Sequence, residues 1–169
     1  MRNLEAKFQL RDFEWAQQQA EAIGYRFKAT LAQRDTFFNV KEGKLKLREE
    51  DSGAWLIFYG RQDSRHLRLS TYEIVAIAEP EKFRDMMTQA LGTIATVRKT
   101  RILMMRDNVR LHLDRVDGLG EFGEIEAVLG EPSDAESSRP AVDQLLTALE
   151  IEPNNLIEES YFELQLALS

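Results

Sequence analysis

Charged residues recur at every second position in several stretches of this chain: Glu5 and Lys7; Lys44, Lys46 and Arg48; His66 and Arg68; Lys99 and Arg101; Arg110, His112 and Asp114; Glu124 and Glu126. Two is the repeat of a β-strand, so each set falls on one face of its strand. The signs are sorted, basic through the middle of the chain and acidic in Asp114, Glu124 and Glu126. Such a set suits a polyanion. A triphosphate loses its hydration at tolerable cost only against Lys, Arg and metal ions, with Arg supplying a planar fork and Lys a point charge. Carboxylates in the same place repel phosphate unless a hard cation such as Mg2+ or Mn2+ lies between them. Glu5, Asp114, Glu124 and Glu126 are the candidate ligands for that cation. The competing explanation is that these faces meet water, as one face of many antiparallel sheets does, and the pattern alone does not separate the two.

The elements that would carry these residues favour an enclosed arrangement. Asn3 to Leu10 alternates as a strand. Asp12 can cap a helix with Phe13, Ala16, Ala20 and Ile23 on one face and Gly24 at its end. From Tyr25 to Ala78 four β-rich runs are separated by turn signals at Lys41-Glu42-Gly43, Asp51-Ser52-Gly53 and Gln62-Asp63-Ser64. Pro80 opens a second helix that predicts a buried stripe of Phe83, Met86, Met87, Ala90 and Leu91, with Gly92 at its exit. Three strands follow, Thr93 to Arg106, Val109 to Val116 and Glu121 to Leu129, joined through Asp107-Asn108 and Asp117-Gly118. Gly130 to Asp134 reads as a loop. A third helix is expected from Pro140 to Leu149, stopped by Pro153, with room for another short helix in the tail. Helices need an apolar sheet face to pack on, which leaves the charged face to line an interior. The fold class expected is α+β, an eight-stranded antiparallel barrel with helices outside.

Composition narrows the chemistry. The 169 residues, 43% hydrophobic and 30% charged, fit one domain over 1–169. There is no cysteine, so thiolate metal sites and a Cys nucleophile are excluded, and His66 and His112 are the sole imidazoles. No apolar run reaches the roughly 20 residues of a membrane helix and the first residues lack a secretory pattern, so no membrane partner and a cytoplasmic location are expected. A net charge of -7 argues against nucleic acid. A monomer and a homodimer are both compatible with the sequence.

The motifs in order resemble the CYTH superfamily, which unites class IV adenylyl cyclases with thiamine triphosphatases and other triphosphate tunnel enzymes. Asn3-Leu4-Glu5-Ala6-Lys7 is similar to the family's E-x-E-x-K strand, and Gln33 to Phe38 to its Q-x-D-T-Y-F segment. Lys46-Leu47-Arg48 and Lys99-Thr100-Arg101 resemble its basic pairs. Tyr59-Gly60-Arg61 and Arg68 to Tyr72 resemble two intervening strands, and Leu113-Asp114 through Glu126 its acidic hairpin. The resemblance implies a tunnel in which Lys7, Lys46, Arg48, Arg61, Lys99 and Arg101, with Arg68 and Arg110, grip phosphates. Glu5, Asp114, Glu124 and Glu126 would hold Mg2+ or Mn2+, and Lys7, Glu5 and Glu126 would be catalytic. Asn3 departs from the pattern by replacing an acid with an amide, a weaker ligand for a hard cation.

The reaction that follows from the resemblance is cyclisation of ATP to cyclic AMP and pyrophosphate, or hydrolysis of thiamine triphosphate or tripolyphosphate in the same cage. The Q-x-D-T and Tyr-Gly-Arg segments tilt the reading toward the cyclase-like branch. A non-catalytic nucleotide or polyphosphate binder and a plain structural barrel are the rivals from other classes. His112 can touch phosphate or serve as a hydrogen-bonded wall residue, and His66 falls near a strand end in solvent. Trp15 and Trp55 read as packing groups, Met86, Met87, Met104 and Met105 as core filler. Tyr161 resembles a tail residue that closes the tunnel, although a docked helix explains it equally well.

Overall fold

The computed structural model describes residues 2–60, 67–130 and 134–168. Arg61, His66, the Gln62-Asp63-Ser64 turn and the Glu131-Pro132-Ser133 part of the loop lie outside the described residues, as does the side chain of Arg68.

Eight strands, β1 (Arg2–Gln9), β2 (Arg26–Phe38), β3 (Lys44–Glu50), β4 (Gly53–Tyr59), β5 (Arg68–Ala76), β6 (Thr93–Arg106), β7 (Val109–Val116) and β8 (Gly120–Leu129), close into one barrel. Neighbours run β1-β5-β4-β3-β2-β6-β7-β8, every pair antiparallel, so two meanders are joined by the long β2–β6 ladder on one side and by β1 on the other. Closure leaves no sheet edge exposed.

The apolar core lies outside the barrel wall. Leu4 and Phe8 of β1, Leu111 and Leu113 of β7 and Ile125 of β8 turn outward and are covered by α1 (Phe13–Ala22) and α3 (Ala135–Ala148) through Phe13, Ala16, Ala20, Val142 and Leu145. At Gly123 an added Cβ would collide with the Phe8 ring, so a bare backbone is what lets that ring lie flat on β8. A second outer patch, Phe38, Leu47 and Ala54, is covered by Phe83 and Met87 of α2 (Pro80–Leu91).

Two helices differ from expectation. The α2 stripe is only half realised: Phe83 and Met87 are half-buried, whereas Met86, at 59% exposure, Ala90 and Leu91 face outward, so Met86 is not core filler. The helix meets the barrel along one narrow line and is tethered at its side by Arg84, which donates to Glu49 at 2.7 Å. The third helix begins at Ala135, not Pro140. Asp134 accepts from the Ser137 backbone and Ser137 returns a bond to Asp134, a capping box that starts the helix a turn earlier and leaves Pro140 inside it. No helix among the described residues is long and apolar enough to cross a membrane.

Candidate active site

The inward faces of the strands enclose a cavity of about 130 Å³ that opens to solvent. Lys7, Lys44, Lys46, Arg48, Lys99 and Arg101 line it together with Glu5, Asp35, Glu124 and Glu126: six cations and four carboxylates, from β1, β2, β3, β6 and β8. The alternating charges therefore meet one another, and the outer faces belong to the helices. One end of the barrel carries an apolar plug. There α4 (Tyr161–Ala167) lays Tyr161 and Phe162 against Phe37, Val97, Val116 and Phe122.

Four of the cations, Lys46, Arg48, Lys99 and Arg101, are held in place by two carboxylates. Asp35, 2% exposed, accepts from Arg48 through a two-pronged contact (2.8 and 2.7 Å), from Lys46 at 3.2 Å and from Lys99 at 3.0 Å. Burial alone would push this carboxyl up, yet Arg48, Lys46 and Lys99 hold it well below the usual carboxylate range. Burial, then the neighbouring Arg48 and Arg101, brings Lys99 down from the ordinary 10.5 to about 7 despite its bond to Asp35, and burial with Arg48 also lowers Lys46. The second holder is Asp114. Arg101 donates to both of its oxygens at 2.7 Å, and the Tyr161 hydroxyl adds a third bond at 2.7 Å. Asp114 was expected among the metal ligands; both its oxygens are engaged, it is fully buried and it lies outside the cavity lining, behind Arg101.

The remaining carboxylates gather on β1 and β8, where Glu5 stands opposite Glu126 and Lys7 opposite Glu124. Glu124 pairs with Lys7 at 3.4 Å and Arg101 at 3.1 Å, and those two cations overcome its burial to hold it well below the ordinary range. Glu5 accepts from Ser70 at 3.1 Å. Its carboxyl is raised to about 7, by burial first and then by Glu126 and Glu124. The Asn3 amide, 2% exposed, donates to Glu126 Oε1 at 2.7 Å and reaches Glu5 Oε1 at 3.5 Å. Lys7 also donates to the Glu159 carbonyl at 3.1 Å, and Lys44 pairs with Glu163 at 3.3 Å, tying the tail to the cavity.

Arg110 stands at the periphery: its side chain is 40% exposed, lies 3.7 Å from Glu126 and does not line the cavity. The Cα of Arg68 registers opposite Glu5. Asp35, quoted in the sequence only as part of a motif, was missed as a site residue, as were Lys44 and Tyr59 of the lining. A signal for Asp35 existed, since Asp is disfavoured within strands and here sits in phase with Gln33 and Phe37. For a divalent cation the donor chemistry fits. Glu5 and Glu126 are hard oxygen donors beside lysine and arginine side chains, and Mg2+ or Mn2+ commonly takes one or two carboxylates and completes its shell from substrate phosphates and water. Among the described residues no three His, Asp or Glu side chains form a ready-made metal cage.

The model of the CYTH domain matches residues 1–161. The chain belongs to the CYTH domain family. This CYTH domain is 24% identical over 173 residues, covering 98% of the chain and 99% of the relative, to a Methanocaldococcus jannaschii protein named "Putative adenylate cyclase MJ0240". Its fold is similar to PH1012 of Pyrococcus horikoshii OT3 (TM-score 0.85, 21% identity, 96% of this chain and 98% of that one). It is similar as well to HpAC1 from Hippeastrum, described as a "putative adenylyl cyclase" with "a dominant triphophatase activity" (TM-score 0.71, 16% identity, 100% of this chain and 97% of that one).

Proposed function

We propose that this CYTH domain is a divalent-metal-dependent enzyme acting on a triphosphate, with cyclisation of ATP to cyclic AMP and pyrophosphate as the leading reaction. The observation that carries the reading is the meeting of six cations and four carboxylates in one enclosed cavity. Fixed cations and a cation-ready acidic edge are what phosphoryl chemistry asks of a protein, because its catalysis is mostly positioning and charge stabilisation. Family membership supports metal dependence, since CYTH tunnel enzymes generally require a divalent ion.

Lys46, Arg48, Lys99 and Arg101 grip the phosphates, held in position by Asp35 and Asp114. Lys7, anchored between Glu124 and the Glu159 carbonyl, faces the transferring group. Glu5 and Glu126 hold the cation, which would neutralise charge on the phosphate oxygens. Arg61, Arg68 and Arg110 remain candidates for outer phosphate contacts. In cyclisation the ribose 3'-hydroxyl attacks the α-phosphorus and pyrophosphate leaves; in hydrolysis water attacks the terminal phosphorus. The Hippeastrum neighbour, with its stated triphosphatase activity, favours keeping hydrolysis of tripolyphosphate or thiamine triphosphate as the second reading.

Incubation with ATP, thiamine triphosphate and tripolyphosphate, each with Mg2+ and with Mn2+, followed by chromatography of the products, tests both. Cyclic AMP supports the first reading, orthophosphate the second, and silence across the panel rejects enzymatic function. In the active combination Glu126→Gln is expected to abolish turnover with the fold intact. Arg48→Ala is expected to weaken triphosphate binding by about 1.5–3 kcal/mol, the value of a charge-assisted bond.

A further inference from the structure

The outer wall of β4 and β5 carries apolar side chains that the helices leave bare. Tyr59 lines the cavity and Tyr72 registers opposite it, so strand alternation turns Leu56 and Phe58 of β4 and Leu69 and Val75 of β5 away from the interior. Val75 stands beside Leu56 and Glu73 beside Phe58, which makes one continuous row. Val75 is 59% exposed, Leu69 43% and Phe58 39%.

Helix α2 widens this surface. Phe83 and Met87 meet the barrel, and Arg84 leans to the side of β3, where it bonds Glu49. At about 100° per residue, Lys82, Met86 and Ala90 fall on the opposite flank, toward β4 and β5 in the strand order β5-β4-β3-β2. The apolar stripe of α2 is thus wider than its own barrel covers, and part of the remainder borders the bare row.

Single exposed apolar side chains are ordinary, whereas a patch that runs across three elements marks a contact surface. Two features identify a second copy of the chain as its occupant. The first is area. The chain exposes 9696 Å², while a compact monomer of 19.5 kDa exposes about 8,500 Å². The excess, about 1,200 Å², covers the roughly 800 Å² that each partner gives to a standard interface. The second is charge. Copies with a net charge of -7 repel one another unless the touching faces are balanced. This face carries Glu73, which forms no ion pair among the described residues, and Lys82, whose pair with Glu79 is exposed on both sides.

We infer that β4, β5 and the Met86 flank of α2 form the contact surface of a two-fold symmetric homodimer, in which each Glu73 pairs with the partner's Lys82. The inference goes beyond the triphosphate reading and does not depend on it. In the dimer each copy braces the wall whose inner side carries Tyr59 and Tyr72, their ring centroids 5.8 Å apart.

Sedimentation velocity of the intact chain at micromolar concentration is expected to show one species of twice 19.5 kDa. Val75→Glu and Met86→Glu, at exposed positions and with the fold checked by circular dichroism, should each weaken association at least about a hundredfold, because a carboxylate enters the apolar contact unpaired. Glu73→Lys and Lys82→Glu should each weaken it about tenfold, and the double exchange should restore it, as an unspecific apolar contact would not. A chain that stays monomeric overturns the inference and leaves the face to another partner or to water. A dimer that survives Val75→Glu and Met86→Glu overturns it by placing the contact elsewhere. A double exchange no better than its single components overturns the two-fold pairing. None of these outcomes involves turnover, so the triphosphate reading is decided separately.

Discussion

A carboxylate buried in a phosphate-binding cavity looks self-defeating until the free state is considered. Without a ligand, Lys46, Arg48 and Lys99 would be three uncompensated cations in a low-dielectric interior, and Asp35 holds all three. Asp35→Asn should therefore cost about 3–5 kcal/mol, measured by denaturant unfolding, and saturating tripolyphosphate should recover more stability in this variant than in the wild type. An unchanged midpoint would show that the cations do not depend on it. Lys99 has a further consequence. Free, its amine titrates near 7; beside phosphate its charged form is favoured. Below about pH 6 it is protonated in both states and binding moves no proton. Near pH 8 it is largely neutral when free and charged when bound, so triphosphate binding should take up protons and weaken as pH rises through this window. Calorimetry in buffers of different ionisation enthalpy reads this directly, and the uptake should shrink in Lys99→Met.

At the scale of elements, α4 is fastened to the cavity wall by the Tyr161 hydroxyl, by the Glu163–Lys44 ion pair and by Gln165, which donates to the Thr96 carbonyl. Tyr161→Phe removes the bond from Tyr161 to Asp114, leaves one fewer donor on a fully buried carboxylate, and should cost about 1–3 kcal/mol by chemical denaturation. Leu168→Ala, at a position 71% exposed, should cost almost nothing. The strands were legible in the sequence because their alternation and turn residues are local signals: β6 and β7 run over the predicted residues and β8 begins one residue earlier. The helices were less so. The start of α3 is set by the Asp134–Ser137 capping box, which outweighs the missing N–H of Pro140 near the first turn. The α2 stripe failed because periodicity marks which residues share a face and not how wide a surface awaits them. The site divides in the same way. Inward phase was visible residue by residue, whereas the cluster around Asp35 joins β2, β3 and β6, and the bonding of Asp114 joins β6, β7 and α4. Such meetings are created by barrel closure, which no local pattern encodes, so Asp35 was missed and Asp114 was expected to face the cation.

For the molecule as a whole, the architecture puts the apolar core between wall and helices and leaves the barrel interior polar. The helices therefore supply the hydrophobic stabilisation, while the interior stores electrostatic cost: buried lysines shifted down and a glutamate shifted up to about 7. A polyanion arriving with a divalent cation relieves all of these at once, by pairing the lysines and bridging the carboxylates. Folding and binding should then be strongly linked. Tripolyphosphate at a hundredfold excess over its dissociation constant, with Mn2+, should add about 2.7 kcal/mol and raise the melting temperature by about 5–10 °C for a chain of this size. Neither component alone should reach this shift, because phosphate without metal leaves Glu5 and Glu126 facing added negative charge and metal without phosphate leaves the cations as they were. Arg48→Ala should lose most of the joint shift. Equal stabilisation by sulfate at the same ionic strength would mean that the cavity reads charge alone, with no preference for a metal-bridged triphosphate.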